Sequence, residues 1–329
     1  MTTYKNILLI NFGGIGDEIL FLPTIKSLKQ AYPDSRITLV LEPRSKSIQN
    51  LTNMIDEVIC VDIKGKNKYS ELLRFYFKAL LGNFDLVISS GGNKLIPVLL
   101  FFTGIRSRIG YDTGGLTQKL LTKAIKLNKS QYAAKMYHDL IKDLTNQKYE
   151  DPEIILEDLN KIPNSVLVHP GVSKMSIRKN IIKSWSNLTW AKLIEALLLK
   201  GKTVYLAGGP DDNECIEEIR NYLSSKHFDN FVDMYGKTKN IIDLAKLIKQ
   251  SETLVCSDSA PMHIGIATNT KTIAIFGPTD ENKLIPKSEK FIAITNNAPC
   301  RPCLWDKRQT SCETKACLEL KIEQITELL

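Results

Sequence analysis

Several things are missing from this sequence, and each absence removes a class of protein. No apolar run is long enough to cross a bilayer: the longest, Leu95 to Ile105, is about half of the roughly 20 residues a spanning helix needs. An integral membrane protein is therefore not expected. No basic and apolar leader precedes the first strand-like run, which Met1 to Lys5 enter directly, so a cytoplasmic chain is expected rather than an exported one. There is no repeat of fixed period and no low-complexity tract, which sets aside solenoids and disordered tails. Acidic residues are absent from Leu159 through Ile194, so the charged side chains of that stretch are all basic.

The 329 residues suffice for about two ordinary domains. A hydrophobic content of 43% with 24% charge is that of a globular chain. Forty-four Lys and Arg against 36 Asp and Glu leave +8, an excess that suits an anionic ligand, a membrane surface or nucleic acid without choosing among them. Short β-branched runs alternate with amphipathic stretches of helical length, the pattern of parallel α/β sheets. Strands are predicted at 6–12, 36–42, 57–61 and 85–90, then at 166–169, 203–207, 231–234, 253–257, 272–276 and 291–295. Helices are predicted at 17–32, 70–81, 188–200, 211–223 and 241–250, the last capped by Thr238, and across the tail at 318–329. The pattern pauses over the polar stretch 149–164, which carries Pro152 and Pro163. Two Rossmann-like, doubly wound domains are expected, 1–155 and 156–329, facing each other across a cleft at the C-terminal strand ends.

Phe12-Gly13-Gly14-Ile15-Gly16-Asp17 joins the first strand to the first helix. Gly14 and Gly16 begin a dinucleotide fingerprint that fails at Ile19, where a third glycine belongs. Asp17 suits the positive end of the helix dipole, and its charge would repel a pyrophosphate placed there. The loop is expected to present an ionised carboxylate to the cleft, suited to a general base, with Gly14 and Gly16 close to the reacting groups. Taken alone, Asp17 reads first as an acid that stabilises the helix start.

The strand at 253–257 runs into Asp258-Ser259-Ala260-Pro261-Met262-His263. Ser259 is placed to cap the next helix, whose first N–H groups suit a diphosphate. Asp258 would meet a ribose hydroxyl and His263 a phosphate, although a packing histidine fits equally well. The acid-free loop 171–185 brings Lys174, Arg178, Lys179 and Lys183, the charge a diphosphate leaving group requires. For most of the four, a solvated loop is the simpler reading. Gly208-Gly209-Pro210 forms a third turn at a strand end.

Taken in order, Gly14-Ile15-Gly16-Asp17 with Pro23, Lys183-Ser184-Trp185, Gly208-Gly209-Pro210, Asp258 to His263, and Phe276-Gly277-Pro278-Thr279 resemble the motifs of one family. It is that of the bacterial ADP-heptose:lipopolysaccharide heptosyltransferases, glycosyltransferase family nine, and the resemblance spans essentially the whole chain. One departure is Ala260, where the family usually has glycine. The resemblance implies a GT-B architecture and inverting transfer of a sugar, heptose foremost, from an ADP-sugar to a lipid-linked lipopolysaccharide-core saccharide. It implies Asp17 as the base, and Lys183, Gly209, Asp258, Ser259, Ala260 and His263 as the donor site. No Asp-x-Asp triplet, with which many metal-dependent transferases hold a cation on the diphosphate, occurs in the chain. No cofactor is therefore expected in the chemistry, and cationic side chains with a helix terminus take the cation's place. Another nucleotide sugar or a protein acceptor fits the same motifs. Two further classes stay open: a nicotinamide-dependent dehydrogenase with Glu42 as ribose acceptor, and a catalytically silent sugar-nucleotide-binding protein.

Cysteine is used in two ways. Cys60, Cys215 and Cys256 stand alone in hydrophobic patterns and read as buried thiols. Cys300, Cys303, Cys312 and Cys317 cluster as C-x2-C-x8-C-x4-C, which suits a structural zinc or iron as well as a set of reduced thiols. The helix at 70–81 mixes Leu72, Leu73, Phe75 and Phe77 with Arg74 and Lys78, after Lys64, Lys66 and Lys68. It reads as a core helix with a charged edge, or as a segment that meets anionic lipid at the inner face of the cytoplasmic membrane. No nucleic-acid partner is expected.

Overall fold

In the computed structural model, which describes residues 3–224, 226, 228–304, 312 and 314–329, each half of the chain builds a six-stranded parallel sheet. The two compact units are Met1–Glu153 and Ile154–Leu329. The first contains β1 (Asn6–Ile10), β2 (Arg36–Leu41), β3 (Glu57–Cys60), β4 (Leu86–Ser89), β5 (Ser107–Tyr111) and β6 (Lys123–Ile125). Its helices are α1 (Ile15–Ala31), α2 (Lys68–Leu81), α3 (Leu95–Phe102), α4 (Gly115–Leu120) and α5 (Ala133–His138). The strand order is β3-β2-β1-β4-β5-β6, so the chain reverses direction across the sheet between β1 and β4.

The second unit contains β7 (Ile162–His169), β8 (Thr203–Leu206), β9 (Phe231–Asp233), β10 (Ser251–Ser257), β11 (Lys271–Ile275) and β12 (Phe291–Ile294). Between and after them run α6 (Lys174–Arg178), α7 (Asn187–Leu199), α8 (Asn213–Ser224), α9 (Ile241–Gln250), α10 (Ala260–Ala267), α11 (Glu281–Leu284) and α12 (Glu323–Thr326). The order β9-β8-β7-β10-β11-β12 repeats the topology of the first unit, with the reversal between β7 and β10. Such reversals open a crevice at the C-terminal strand ends, where α/β proteins bind ligands.

Central strands of parallel sheets are covered on both faces, which is why they read as unbroken apolar runs. Ile7 to Ile10 of β1 are at most 1% exposed. One face of the first sheet receives Leu72 and Phe75 from α2 and Ile96 and Leu100 from α3. In the second unit Trp190 and Leu193 of α7 and Ile216 and Ile219 of α8 pack on Val166, Val168 and Val204.

Several expectations need correction. β5 and β6 were not predicted, since Ser107–Tyr111 and Lys123–Ile125 are short and mix polar with apolar residues. The cap of α9 is Asn240, not Thr238, because the Asn240 side chain is the one that accepts from the Ile242 and Asp243 amides. The tail is helical only at α12 and in a short 3-10 turn, Ala316–Leu318. Cys60 and Cys215 are partly exposed, whereas Cys256 is buried. Among the described residues no helix is long and apolar enough to cross a membrane.

Candidate active site

At the reversal point of the first unit, α1 begins straight after the glycine loop. The Gly14 amide donates to Asp17 Oδ2 at 2.7 Å, so the carboxylate caps its own helix. A Cβ on Gly13 would lie 2.2 Å from the Asp17 Cβ, so the fold-back requires glycine there. Ser45 Oγ donates to the Gly13 carbonyl at 2.8 Å and pins the loop from the far side of β2. The Arg44 guanidinium lies beside Gly14. Tyr137 of α5 hydrogen-bonds Asp17, and burial together with the Asp17 charge pushes its hydroxyl pKa well up. Neither Arg44 nor Tyr137 was expected at this site.

Three acids stand near the loop, and their surroundings differ. Asp17 is partly exposed. Glu18, 1% exposed, accepts from Asn11 Nδ2 at 3.2 Å, and Asn11 Oδ1 in turn accepts from Ser90 Oγ at 2.6 Å. Burial first, then the neighbouring Asp17 charge, holds its pKa well above the ordinary value. Glu42 is 3% exposed and is taken up by Arg44 Nε at 2.6 Å and Lys64 Nζ at 2.5 Å. It is not disposed as the ribose acceptor that a dehydrogenase would need. Of the three, Asp17 is the carboxylate that reaches solvent, which suits proton abstraction from an incoming group.

The reversal point of the second unit carries charge of the other sign. Lys183 Nζ meets Asp258 Oδ2 at 2.8 Å, and Thr279 Oγ1 donates to the same oxygen at 2.6 Å. Asp258 is only 3% exposed. Burial alone would raise its pKa, but the Lys183 ammonium, the Thr279 hydroxyl and His263 outweigh it and bring the pKa below the ordinary value. Asp258, expected to meet a ribose hydroxyl, is a buried carboxylate that anchors Lys183. Thr279 is a further site residue that had been read only as part of a motif. His263 is 6% exposed and close enough to Asp258 to contribute to its charge balance.

The K-S-W run explains how Lys183 is held. Ser184 Oγ donates to the Pro170 carbonyl and receives hydrogen bonds from Ser257 Oγ and Trp190 Nε1, all at 2.8 Å. Trp185 is buried and donates to the Leu318 carbonyl at 3.1 Å. Ser259 sits at the N-cap of α10, but its hydroxyl turns toward the Ser257 carbonyl, so the helix start has no side-chain cap. Ala260 is partly exposed at the first position of α10. The Gly209 amide donates to Asp212 Oδ2 at 2.7 Å, an internal use that the donor role had not foreseen. Lys174 is drawn to Asp211 at 2.7 Å, while Arg178 and Lys179 are exposed.

Behind the Thr279 loop, Cys300, Cys303, Cys312 and Cys317 line one cavity of about 20 Å³. Arg301 ties this segment to the loop through the Gly277 carbonyl at 2.6 Å and Glu281 at 2.8 Å. Burial, then the neighbouring thiols, pushes Cys317 up to about 11. Among the described residues no three His, Cys, Asp or Glu side chains already stand in a metal-binding arrangement.

The chain matches the profile of glycosyltransferase family 9 (heptosyltransferase) over residues 73–314. It is 26% identical over 298 residues to lipopolysaccharide heptosyltransferase 3 of Escherichia coli strain K12, covering 84% of each chain. Among solved structures it resembles E. coli ADP-heptose lps heptosyltransferase II, with a TM-score of 0.72 at 19% identity and 98% of both chains covered. It also resembles E. coli heptosyltransferase WaaC with ADP-2-deoxy-2-fluoro heptose, with a TM-score of 0.71 at 18% identity, covering 98% of this chain and 99% of that one. The fold is of the GT-B type, with two Rossmann-like units, as in those enzymes. The chain belongs to glycosyltransferase family 9, the heptosyltransferase family, and is a glycosyltransferase.

Proposed function

We propose that this enzyme moves a heptose from ADP-heptose to a lipid-linked lipopolysaccharide-core saccharide, with inversion, at the cytoplasmic side of the inner membrane. The observation that carries this reading is the Lys183–Asp258–Thr279 cluster beside the uncapped start of α10. A fixed ammonium and peptide N–H groups suit a diphosphate that gains charge as it leaves. The acceptor oxygen bonds the anomeric carbon while the bond from that carbon to the diphosphate oxygen breaks, and ADP leaves with the electron pair. The acceptor's proton passes to Asp17. The reading assigns no cofactor to this step. The WaaC complex with an ADP-linked heptose supports the donor, and the name of the E. coli relative supports the acceptor. Mass spectrometry of products from ADP-, UDP- and GDP-sugars, offered with core saccharides and with protein acceptors, tests both. Transfer from a UDP-sugar but not from ADP-heptose rejects the donor, and transfer to protein alone rejects the acceptor.

The four clustered cysteines are further proposed to hold one structural zinc or iron. The donor set is of the right kind, and the cavity has room for about one small ion or water. Metal binding would release the thiol protons and tie the Arg301 segment to the Thr279 loop. Elemental analysis of folded, active protein purified without added metal checks this, and a ratio near zero for both metals rejects it.

A further inference from the structure

The first unit leaves apolar helix faces in water. α3, with the sequence LIPVLLFF, has no charged residue. Ile96 and Leu100 enter the core, yet Leu95, Phe101 and Phe102 are 41%, 44% and 65% exposed. α2 repeats the arrangement. Leu72, Phe75 and Ala79 point inward, while Leu73, Phe77, Leu80 and Leu81 lie outside. The two helices touch, and the Tyr76 hydroxyl donates to the Phe102 carbonyl at 3.3 Å. α4 packs against α3 and adds exposed Leu116. A helix that is apolar all round is ordinarily buried, and a joined apolar surface of this kind marks a contact.

The charge around this face is of one sign. Residues 63–106 contain seven Lys and Arg and two acids, a surplus of five in a chain whose total is +8. Glu71 is occupied by Arg74, and Asp85 accepts the Lys5 and Asn6 amides. Lys64 is shared with Glu42. Lys66, Lys68, Lys78, Lys94 and Arg106 are exposed and have no acidic partner among the described residues. Lys66, Lys68 and Lys94 lie where the chain leaves the C-terminal ends of β3 and β4, the same edge from which the Asp17 loop leaves β1.

We propose that the outer face of α2 and α3 docks on an anionic lipid bilayer, with Phe77, Phe101 and Phe102 entering the interface and the lysines meeting headgroup phosphates. A second copy of this chain would satisfy the apolar half of the surface but would press like charges together. An anionic bilayer satisfies both halves. Docking brings Lys66, Lys68 and Lys94, which lie at the edge from which the Asp17 loop leaves β1, to the headgroups. That this edge is where the acceptor arrives rests on the proposed lipid-linked acceptor, whereas the docking itself does not.

The full chain is sedimented with phosphatidylcholine vesicles, with and without phosphatidylglycerol, and product formation is measured separately on a soluble core saccharide. Wild type should partition onto the anionic vesicles and be released by salt. Lys66→Gln/Lys68→Gln/Lys94→Gln should weaken partition about a hundredfold, at roughly 1 kcal/mol per lysine. Phe77→Ser/Phe102→Ser should abolish it. Both variants should keep the wild-type melting temperature and turnover on the soluble acceptor. Equal recovery on neutral and anionic vesicles, or recovery on neither, overturns the proposal. So does a dimer in sedimentation velocity that Phe77→Ser/Phe102→Ser disperses while vesicle binding is unchanged.

Discussion

Asp258→Asn keeps the shape of the side chain and removes its charge. In the folded second unit this carboxylate is 3% exposed and accepts Lys183 at 2.8 Å and Thr279 at 2.6 Å. Removing one partner of a buried pair costs roughly 3–5 kcal/mol, because the other charge stays behind uncompensated. The Lys183 side chain is 17% exposed and can turn its ammonium toward water, so the expected loss is about 2–3 kcal/mol. Trp185 and Trp190 are buried in the core of the second unit, so tryptophan fluorescence follows that unit in a urea titration. The midpoint should fall with little change of slope. The pH dependence gives a sharper check. The folded pKa of Asp258 lies below its ordinary value of 3.8, so its stabilisation is present above that value and is lost as pH falls through the folded pKa. The gap between wild type and variant should stay constant from neutral pH to about pH 5 and narrow below about pH 4. A gap under about 0.5 kcal/mol at neutral pH, or one that does not narrow in acid, would refute the view that this pair organises the site.

Asp17→Asn should lower kcat by about 10²-fold or more, with ADP affinity within a few-fold of wild type; near-normal turnover would put the base elsewhere. Lys183→Ala should weaken ADP binding in calorimetry by roughly 1.5–3 kcal/mol, and an unchanged affinity would move the diphosphate to another position. Glu18→Gln should stabilise the protein increasingly as pH rises. The folded pKa of Glu18 is held above 4.5, so wild type loses stability between that value and the folded pKa while the amide does not titrate. Parallel melting-temperature profiles for the two proteins would show that the buried acid carries no such penalty.

What the sequence reveals depends on whether partners are neighbours in the chain. The central strand β1 was legible because burial on both faces leaves a continuous apolar run, and β10 through its shorter apolar centre, Leu254, Val255 and Cys256. β5 and the edge strand β6 were not, because Arg108 and Lys123 interrupt them. α3 was visible only as an apolar run, since nothing in LIPVLLFF distinguishes a surface helix from a core segment. In the candidate site, Asp17 was legible because its glycine loop is local. Tyr137 and Arg44 reach that loop from α5 and from beyond β2, with no local signal. Lys183 and Asp258 were each read as donor contacts, yet they bind one another, a pairing that emerges only when β10 lies next to β7.

The two units share a strand order, so topology alone does not decide which holds an acid and which holds a diphosphate. The helix caps make the difference. In α1 the Asp17 carboxylate takes the Gly14 amide, so the helix start already has its anion. In α10 the capping position is Ser259, whose hydroxyl turns away, and the nearby acid Asp258 is neutralised by Lys183. Positive potential is therefore left over at one helix start and consumed at the other. Ser259→Asp would put a carboxylate at the start of α10 as well, at the N-cap itself rather than at the third helical position that Asp17 holds in α1. A carboxylate at an N-cap should stabilise the second unit by about 0.5–1 kcal/mol, read from its tryptophan fluorescence in urea. The same charge should oppose a diphosphate and weaken ADP binding about tenfold or more, since like charges at contact distance cost on the order of 1 kcal/mol or more. Stability and affinity should thus move in opposite directions. A variant that is stabilised and binds ADP as tightly as wild type would place the diphosphate away from the start of α10. A variant that loses both would have disturbed the fold of the loop instead, and the unsubstituted Ser259 would then be needed for its shape.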